Sequence, residues 1–216
     1  MHTIIVANSA IHWSSQVRKF LAGADQIIAA DGGARHCLAV GITPAVVIGD
    51  FDSLDEAFLD HLQAQGVKLV RYPVEKDFTD LELAIQYAVL QGAKELIVLG
   101  ALGERWDQTI ANLLLPALQA LRGVTINLVD GTQTVRLLQG GGRMVVRGKP
   151  GDTLSLIPLS EQAAGISTQG LRYPLYGEAL YLGSTRGVSN ELTDETAFIN
   201  LEQGLLLCVV IHQSVD

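Results

Sequence analysis

Carboxylates recur at comparable places along the first half of this 216-residue chain. Gly49-Asp50-Phe51-Asp52-Ser53 follows one apolar run, Glu75-Lys76-Asp77-Phe78-Thr79-Asp80 a second, and Gly103-Glu104-Arg105-Trp106-Asp107 a third. Carboxylates from separate loops, gathered at one edge of a sheet, suit a hard cation; Mg²⁺ takes a few such oxygens and fills its remaining positions with water and phosphate oxygens. Residues 50 and 52 point the same way if the backbone there is extended, so both can serve one ion. The competing reading is a helix start capped by Asp52 or Ser53. Thr79-Asp80-Leu81-Glu82 has the form of a capping box, which accounts for Thr79 and Glu82 but leaves Lys76 facing phosphate and Asp80 facing metal. Asp107 either caps the helix after it or holds metal or metal-bound water, with Arg105 neutralising phosphate. Asp31-Gly32-Gly33-Ala34 presents backbone amides suited to an anion. It lacks the spacing of a dinucleotide fingerprint, and no Gly-x-x-x-x-Gly-Lys-Ser/Thr run occurs in the chain.

These motifs need a scaffold that delivers loop ends to one place. Short β-branched runs at Thr3–Ala7, Gln26–Ala30, Val46–Ile48, Lys68–Tyr72, Glu95–Leu99 and Val124–Val129 alternate with helical patterns at Trp13–Leu21, Ala34–Val40, Leu54–Gln65, Leu81–Gln91 and Asp107–Leu121. Such alternation predicts parallel βα units with helices on both faces, a doubly wound α/β/α domain. Leu81, Ala84, Ile85, Ala88 and Val89 form a core-facing stripe at helical spacing, and Pro116 marks the weak point of the last helix. In open parallel sheets ligands bind beyond the carboxyl ends of the strands, where all three acidic motifs fall.

After about residue 135 the texture changes. Gly140-Gly141-Gly142, Gly148-Lys149-Pro150-Gly151 and Gly183 punctuate short apolar runs, the pattern of an antiparallel β-sandwich. The expected domains are residues 1–135 and 136–216. In the second, Ser184-Thr185-Arg186-Gly187-Val188-Ser189-Asn190-Glu191 is dense in donors and acceptors, and Tyr173 offers a face for stacking a small heteroaromatic ligand.

The balance of 15 basic against 23 acidic residues, a formal charge of -8, argues against a nucleic-acid partner. Cys37 and Cys208 stand apart in no ligand spacing and read as buried thiols of a reducing compartment. The most apolar later stretch, Ile110 to Leu121, is too short to cross a membrane, and the N-terminus has no basic leader. A cytoplasmic protein with no membrane partner is expected.

Taken in order, Asp31-Gly32-Gly33-Ala34, Gly41-Ile42-Thr43-Pro44, Gly49-Asp50-Phe51-Asp52-Ser53, Lys76-Asp77-Phe78-Thr79-Asp80, Arg105-Trp106-Asp107 and Ser189-Asn190-Glu191 resemble the thiamine pyrophosphokinase family, over nearly the whole chain. The resemblance implies an N-terminal α/β domain for ATP and Mg²⁺, a C-terminal β-sandwich for thiamine, and a homodimer with active sites at its interface. It makes Asp50, Asp52 and Asp80 the magnesium carboxylates and puts Asp107 near metal or phosphate. Lys76 and Arg105 become phosphate contacts, and Asp31, Gly32, Gly33, Asp77, Thr79 and Gln108 fall to the nucleotide side. Ser189 and Asn190 match the stretch that meets the aminopyrimidine, and Tyr173 stands where some members place a stacking Trp. The chain departs from the family pattern at Arg35-His36, where members often have Asn, and at Gly103-Glu104-Arg105, in place of the commoner Gly-Gly-Arg. The reaction implied is transfer of the terminal diphosphate of ATP to the hydroxyl of thiamine, giving thiamine diphosphate and AMP, with Asp80 and Asp107 both open as proton acceptors. A pyrophosphokinase for another heterocyclic alcohol such as a hydroxymethyl pterin, an Asp-x-Asp nucleotide-sugar transferase, and a non-catalytic sensor are the alternatives.

Overall fold

The computed structural model describes residues 1–213. Two compact units divide the chain, with Gly131 the last residue of the first and Thr132 the first of the second.

The first unit alternates strand and helix as β1 His2–Val6, α1 Ser15–Ala22, β2 Gln26–Ala30, α2 Gly33–Ala39, β3 Val46–Gly49, α3 Glu56–Ala64, β4 Lys68–Arg71, α4 Asp80–Leu90, β5 Glu95–Leu99, α5 Trp106–Leu114 and β6 Thr125–Asp130. The strands pair in parallel in the order β6-β5-β1-β2-β3-β4. Ile4, Val6, Ala29, Val47, Ile97 and Leu99 belong to one core cluster with Val17 of α1, Ala34 of α2 and Leu59 and Leu62 of α3. Their neighbours Ile5, Ile28, Ile48 and Val98, which the pleat turns the other way, are equally buried, and α4 packs against β1, β2 and β3. Burial on both faces is what near-continuous apolar strands require.

Register explains how the loops meet. Val6 lies beside Ala29 and Leu99, Ala30 beside Ile48, and Gly49 beside Arg71, so the strands finish nearly level and their following loops leave from one edge. The chain steps outward from β1 to β4 and must then return past β1 to place β5 on its other side. Helix α4 makes that return, so its first turn lies over the carboxyl ends of the inner strands.

Local chemistry sets the helix ends. The side chain of Thr79 accepts from the Glu82 N–H at 3.2 Å, as the capping-box spacing predicts. The cap of α3 is Asp55, which accepts from the Phe58 N–H at 2.9 Å; neither Asp52 nor Ser53 fills that place, because the chain makes a further turn before the helix begins. Helix α5 stops at Leu114 instead of running to Leu121, and 3-10 turns at Leu115–Ala117 and Gln119–Leu121 carry the chain onward. Pro116 lies inside the first of these turns, where its missing donor and fixed φ are tolerated. Arg105 occupies the N-cap of α5 without a side-chain cap, and Asp107 lies in the first turn.

The second unit is all-β. Strands β7 Gln133–Gln139, β9 Thr153–Pro158, β12 Asn190–Glu191 and β14 Leu205–Ile211 pair in the order β12-β9-β14-β7. Strands β8 Gly142–Arg147, β10 Gln162–Gln169, β11 Tyr176–Tyr181 and β13 Thr196–Leu201 form a second sheet in the order β11-β10-β13-β8. Their pairings are antiparallel. Leu138, Leu154, Leu156, Leu206 and Val210 of the first set meet Met144, Val146, Ile166, Leu180 and Ile199 of the second in one core, which makes the unit a sandwich. Burial pushes the thiols of Cys37 and Cys208 up to about 12, so both stay protonated.

Candidate functional site

The acidic site of the first unit is assembled by tight backbone as much as by side chains. Asp31, at the end of β2, adopts φ 44, and Phe51, after β3, adopts φ 65 while fully packed at 3 % exposure. Two non-glycine residues in left-handed conformations beside one cluster are held by the surrounding fold, a kind of local strain that concentrates at functional sites. Gly49 leaves room between them: a Cβ there would lie 3.0 Å from the Asp31 Cβ, closer than an ordinary contact. Gly33 opens α2 hard against β1, where a Cβ would lie 2.0 Å from the Val6 carbonyl oxygen.

Within this frame one carboxylate oxygen from each of Asp31, Asp50 and Asp80 lies within 4.8 Å of the others. The Ser53 hydroxyl donates to Asp31 Oδ2 at 2.6 Å and fixes that carboxylate. Asp31 Oδ1 is buried and has no hydrogen-bond partner. Lys76 Nζ lies 2.7 Å from Asp50 Oδ2 and 3.2 Å from Asp80 Oδ1; the contact with Asp80 is an ion pair without hydrogen-bond geometry, which leaves that oxygen's lone pairs unused. The Lys76 hydrogen bond holds the Asp50 carboxyl below the ordinary carboxylate range. Burial raises the Asp80 carboxyl, a shift that Lys76 only partly opposes. Lys76 itself is raised: burial favours loss of its proton, but the two carboxylates outweigh burial.

An orphaned carboxylate oxygen facing two more carboxylates fits a hard divalent cation, which takes oxygen ligands and whose charge would relieve the mutual repulsion. The converging trio is therefore Asp31, Asp50 and Asp80. Asp52 is adjacent but exposed; its N–H donates to Asp50 Oδ1 at 3.3 Å, and the negative charge of Asp50 raises its carboxyl. The convergence of Asp31 with Asp50 and Asp80 is hidden in the sequence because Asp-Gly-Gly reads as an anion-binding turn. Ser53 was hidden because its position reads as a cap.

The other expected residues of this unit are more dispersed. Asp77 and Gln108 are exposed. Arg105 Nη2 pairs with Asp107 Oδ2 at 2.6 Å, with both side chains about two-thirds exposed at 69 % and 65 %, and Arg105 pulls the Asp107 carboxyl down. The loop that carries Arg105 is stitched to α5 by Thr109, whose hydroxyl contacts both the N–H and the carbonyl of Gly103, and by Asn112, which donates to the Ala101 carbonyl. Gly32 takes the N-cap of α2, which has no side-chain cap, so its first amides keep the capacity to meet an anion.

In the second unit Tyr173, Ser189 and Asn190 line one pocket of about 320 Å³ together with Leu156, Leu175 and Arg186. Asn190 clamps the Tyr173 backbone, accepting from its N–H at 3.1 Å and donating to its carbonyl at 2.8 Å. Ser189 adopts φ 61, and its N–H donates to Ser155 Oγ at 3.0 Å, which anchors the loop to β9. Tyr173 stays 62 % exposed, so its ring is available for stacking. Arg186 of the pocket lining pairs with Glu178 of β11.

Comparison with known proteins gives one answer along the chain. The profile for "Thiamin pyrophosphokinase, catalytic domain" matches residues 17–126, and that for "Thiamin pyrophosphokinase, vitamin B1 binding domain" matches residues 143–206. A thiamine pyrophosphokinase of Bacillus subtilis is 29% identical over 182 residues, covering 84% of this chain and 85% of that protein. A thiamin pyrophosphokinase of Caenorhabditis elegans is 25% identical, covering 80% and 72%. The crystal structure of the Bacillus subtilis enzyme superposes with a TM-score of 0.86 over 99% of this chain and 100% of that one, at 26% identity. That of the thiamin pyrophosphokinase from Geobacillus thermodenitrificans superposes with a TM-score of 0.84, at 30% identity and 99% coverage of both chains. With one profile spanning just over half the chain and the second taking up most of the remainder, this protein belongs to the thiamin pyrophosphokinase family.

Proposed function

We propose that the chain transfers the terminal diphosphate of ATP to the hydroxyethyl oxygen of thiamine, forming thiamine diphosphate and AMP. The observation that carries this reading is the convergence of Asp31, Asp50 and Asp80 around a buried, unpartnered carboxylate oxygen at the carboxyl edge of the sheet, in a member of a family whose relatives bear this activity in their names.

For AMP to leave, the thiamine oxygen must attack the β-phosphorus as the bridge from the α-phosphorus breaks. Phosphoryl-type transfer depends chiefly on alignment and on stabilising equatorial charge, so positioning residues do most of the work. Asp31, Asp50 and Asp80 are the residues that would hold Mg²⁺, with Asp52 beside them. When bound there, Mg²⁺ would supply positive charge against the phosphate oxygens of the nucleotide. Lys76 reaches this same point and supplies a second positive charge. Arg105 supplies a third from the α5 loop once its exposed pairing with Asp107 is exchanged for phosphate, an exchange that costs little because such surface pairs are weak. The uncapped first turn at Gly32 and Gly33 offers amides to the nucleotide, with Asp77, Thr79 and Gln108 at the margins of the same edge.

In the second unit the exposed ring of Tyr173 stacks on the aminopyrimidine, while Ser189 and Asn190 present polar atoms to its edge. The acidic character of the chain assists encounter with cationic thiamine. A homodimer with active sites at its interface, working in the cytoplasm, belongs to the same proposal. The exposed Tyr176, Tyr181 and Leu182 around β11 offer apolar surface for such a partner copy, and among the described residues no helix is long and apolar enough to cross a membrane.

Incubation of the purified protein with Mg-ATP and thiamine, followed by chromatography, tests the reading. Equimolar AMP and thiamine diphosphate are expected, abolished by EDTA and by omission of thiamine. ADP with thiamine monophosphate would reassign the bond attacked, and absence of product from folded protein would reject thiamine as acceptor.

A further inference from the structure

Lys76 occupies an unusual position for a phosphate-binding residue. Its ammonium lies between two of the three converging carboxylates, at 2.7 Å from Asp50 Oδ2 and 3.2 Å from Asp80 Oδ1, and its side chain is only 12 % exposed. The surrounding stretch is otherwise turned outward: Val74 and Phe78 are 65 % and 46 % exposed, and Glu75 and Asp77 are exposed as well. Among the described residues from 73 to 78, no other side chain makes a hydrogen bond or ion pair. Lys76 is thus the polar tether of this loop to the sheet edge, and what it grips is the site itself.

We propose that Lys76 is an internal counter-ion that fills the divalent-cation site until metal and nucleotide arrive, so that metal entry and departure of the Lys76 ammonium are one exchange. The inference rests on the reading of Asp31, Asp50 and Asp80 as the metal carboxylates. Three carboxylates within 4.8 Å cannot all stay ionised and unneutralised at low cost. The ammonium supplies one positive charge in place of two and reaches only Asp50 and Asp80, so Asp31 Oδ1 keeps no partner. A dication entering beside it meets a like charge a few ångströms away and competes for the oxygens of Asp50 and Asp80. The displaced side chain lies on a loop with no other polar tether and can swing to the phosphate oxygens that arrive with the nucleotide. Metal without nucleotide is then bound weakly, because Lys76 has no anion to move to. Metal with nucleotide is bound tightly, which couples the two ligands.

The test is Mn²⁺ binding to the full chain without nucleotide, measured by electron paramagnetic resonance of the free ion and by calorimetry, for the parent protein, Lys76→Met, Lys76→Arg and Asp31→Asn. Lys76→Met is expected to bind Mn²⁺ about tenfold tighter or more than the parent, since a like charge near the ion is removed, while losing turnover. Lys76→Arg is expected to restore the weaker binding, and Asp31→Asn to weaken it further. Addition of a non-hydrolysable ATP analogue is expected to tighten Mn²⁺ binding to the parent much more than to Lys76→Met. Unchanged or weaker Mn²⁺ binding by Lys76→Met, with Asp31→Asn impaired, would overturn the exchange and leave the metal carboxylates standing. If Asp31→Asn binds Mn²⁺ as the parent does, the carboxylate reading fails, and the exchange with it. Should Lys76→Met fail to fold, Lys76→Gln, which is shorter but uncharged and keeps some hydrogen bonding, carries the same expectations.

Discussion

Asp31→Asn separates a structural role for the acidic trio from a catalytic one, because the two properties should move in opposite directions. Asp31 has two carboxylate neighbours, with one oxygen of each lying no more than 4.8 Å from its own. At that distance two like charges repel by about 1 kcal/mol at the dielectric of water and by about 3.5 kcal/mol at an effective value of 20. Lys76 compensates Asp50 and Asp80 but makes no contact with Asp31. The amide that replaces the carboxylate can still accept from the Ser53 hydroxyl, now 2.6 Å from Asp31 Oδ2, and then turns its NH₂ toward Asp50 and Asp80. Removing one charge while keeping this hydrogen bond should stabilise the metal-free protein by about 1–2 kcal/mol. In a chain of this size that raises Tm by about 2 to 8 °C. Turnover should fall about a hundredfold or more if the same oxygen holds the ion that stabilises the transition state. Thermal melts in EDTA and chromatographic assay of thiamine diphosphate measure the two effects on one preparation. An unchanged or lowered Tm would show that the trio carries no stored repulsion, and turnover near the parental rate in folded protein would remove Asp31 from the mechanism.

Two further outcomes concern the second unit. Tyr173→Ala should raise the thiamine KM roughly tenfold with a smaller effect on the ATP KM, since a stacked aromatic contributes about 0.5–1.5 kcal/mol beyond its buried area; an unchanged thiamine KM would count against stacking at this ring. Asp152 is 1% exposed and accepts from the N–H groups of Gln213 at 2.9 Å and Lys149 at 3.0 Å and from His212 Nδ1 at 2.9 Å. Burial alone would raise its carboxyl, but the Gln213 and Lys149 amides, with His212, outweigh burial and hold it below the ordinary value. The native state therefore binds fewer protons there than the unfolded chain, so this contribution is complete above the unfolded value of about 4 and is lost as pH falls through the lower native value. Asp152→Asn should lower stability at neutral pH by roughly 1–3 kcal/mol and flatten the acid limb of a Tm-against-pH profile, and a variant whose acid limb tracks the parent would show that other carboxylates govern it.

What could be read from the sequence follows from whether a feature is local. Strands β2 and β5 match their apolar runs to the residue, since their signals are contiguous. The Thr79 cap is equally local, one hydroxyl and one amide three residues apart. Strand β10 is not legible in the sequence because Gln162-Ala163-Ala164-Gly165-Ile166-Ser167-Thr168-Gln169 carries little β-branched apolar character, and it is held by partners β11 and β13 on either side. Strand β7 runs straight through residue 135, where composition alone suggests a boundary, for its register is dictated by β14, some seventy residues later.

The site divides along the same line. That carboxylates of several loops approach one another follows from the alternation of strands and helices, because a parallel sheet sends every strand's following loop to one edge. Which carboxylates converge depends on distances no spacing rule contains. Asp52 lies two residues from Asp50 in the chain, yet left-handed Phe51 interrupts the extended backbone that would have pointed both the same way, and Asp52 stays in solvent. Asp31 is 19 residues from Asp50 but adjoins it through the β2–β3 pairing, with Gly49 admitting the close approach and Ser53 fixing the carboxylate. A strained residue that turns one acid away and a glycine that leaves room for another act together, so Phe51 and Gly49 shape which carboxylates converge as directly as the acids themselves.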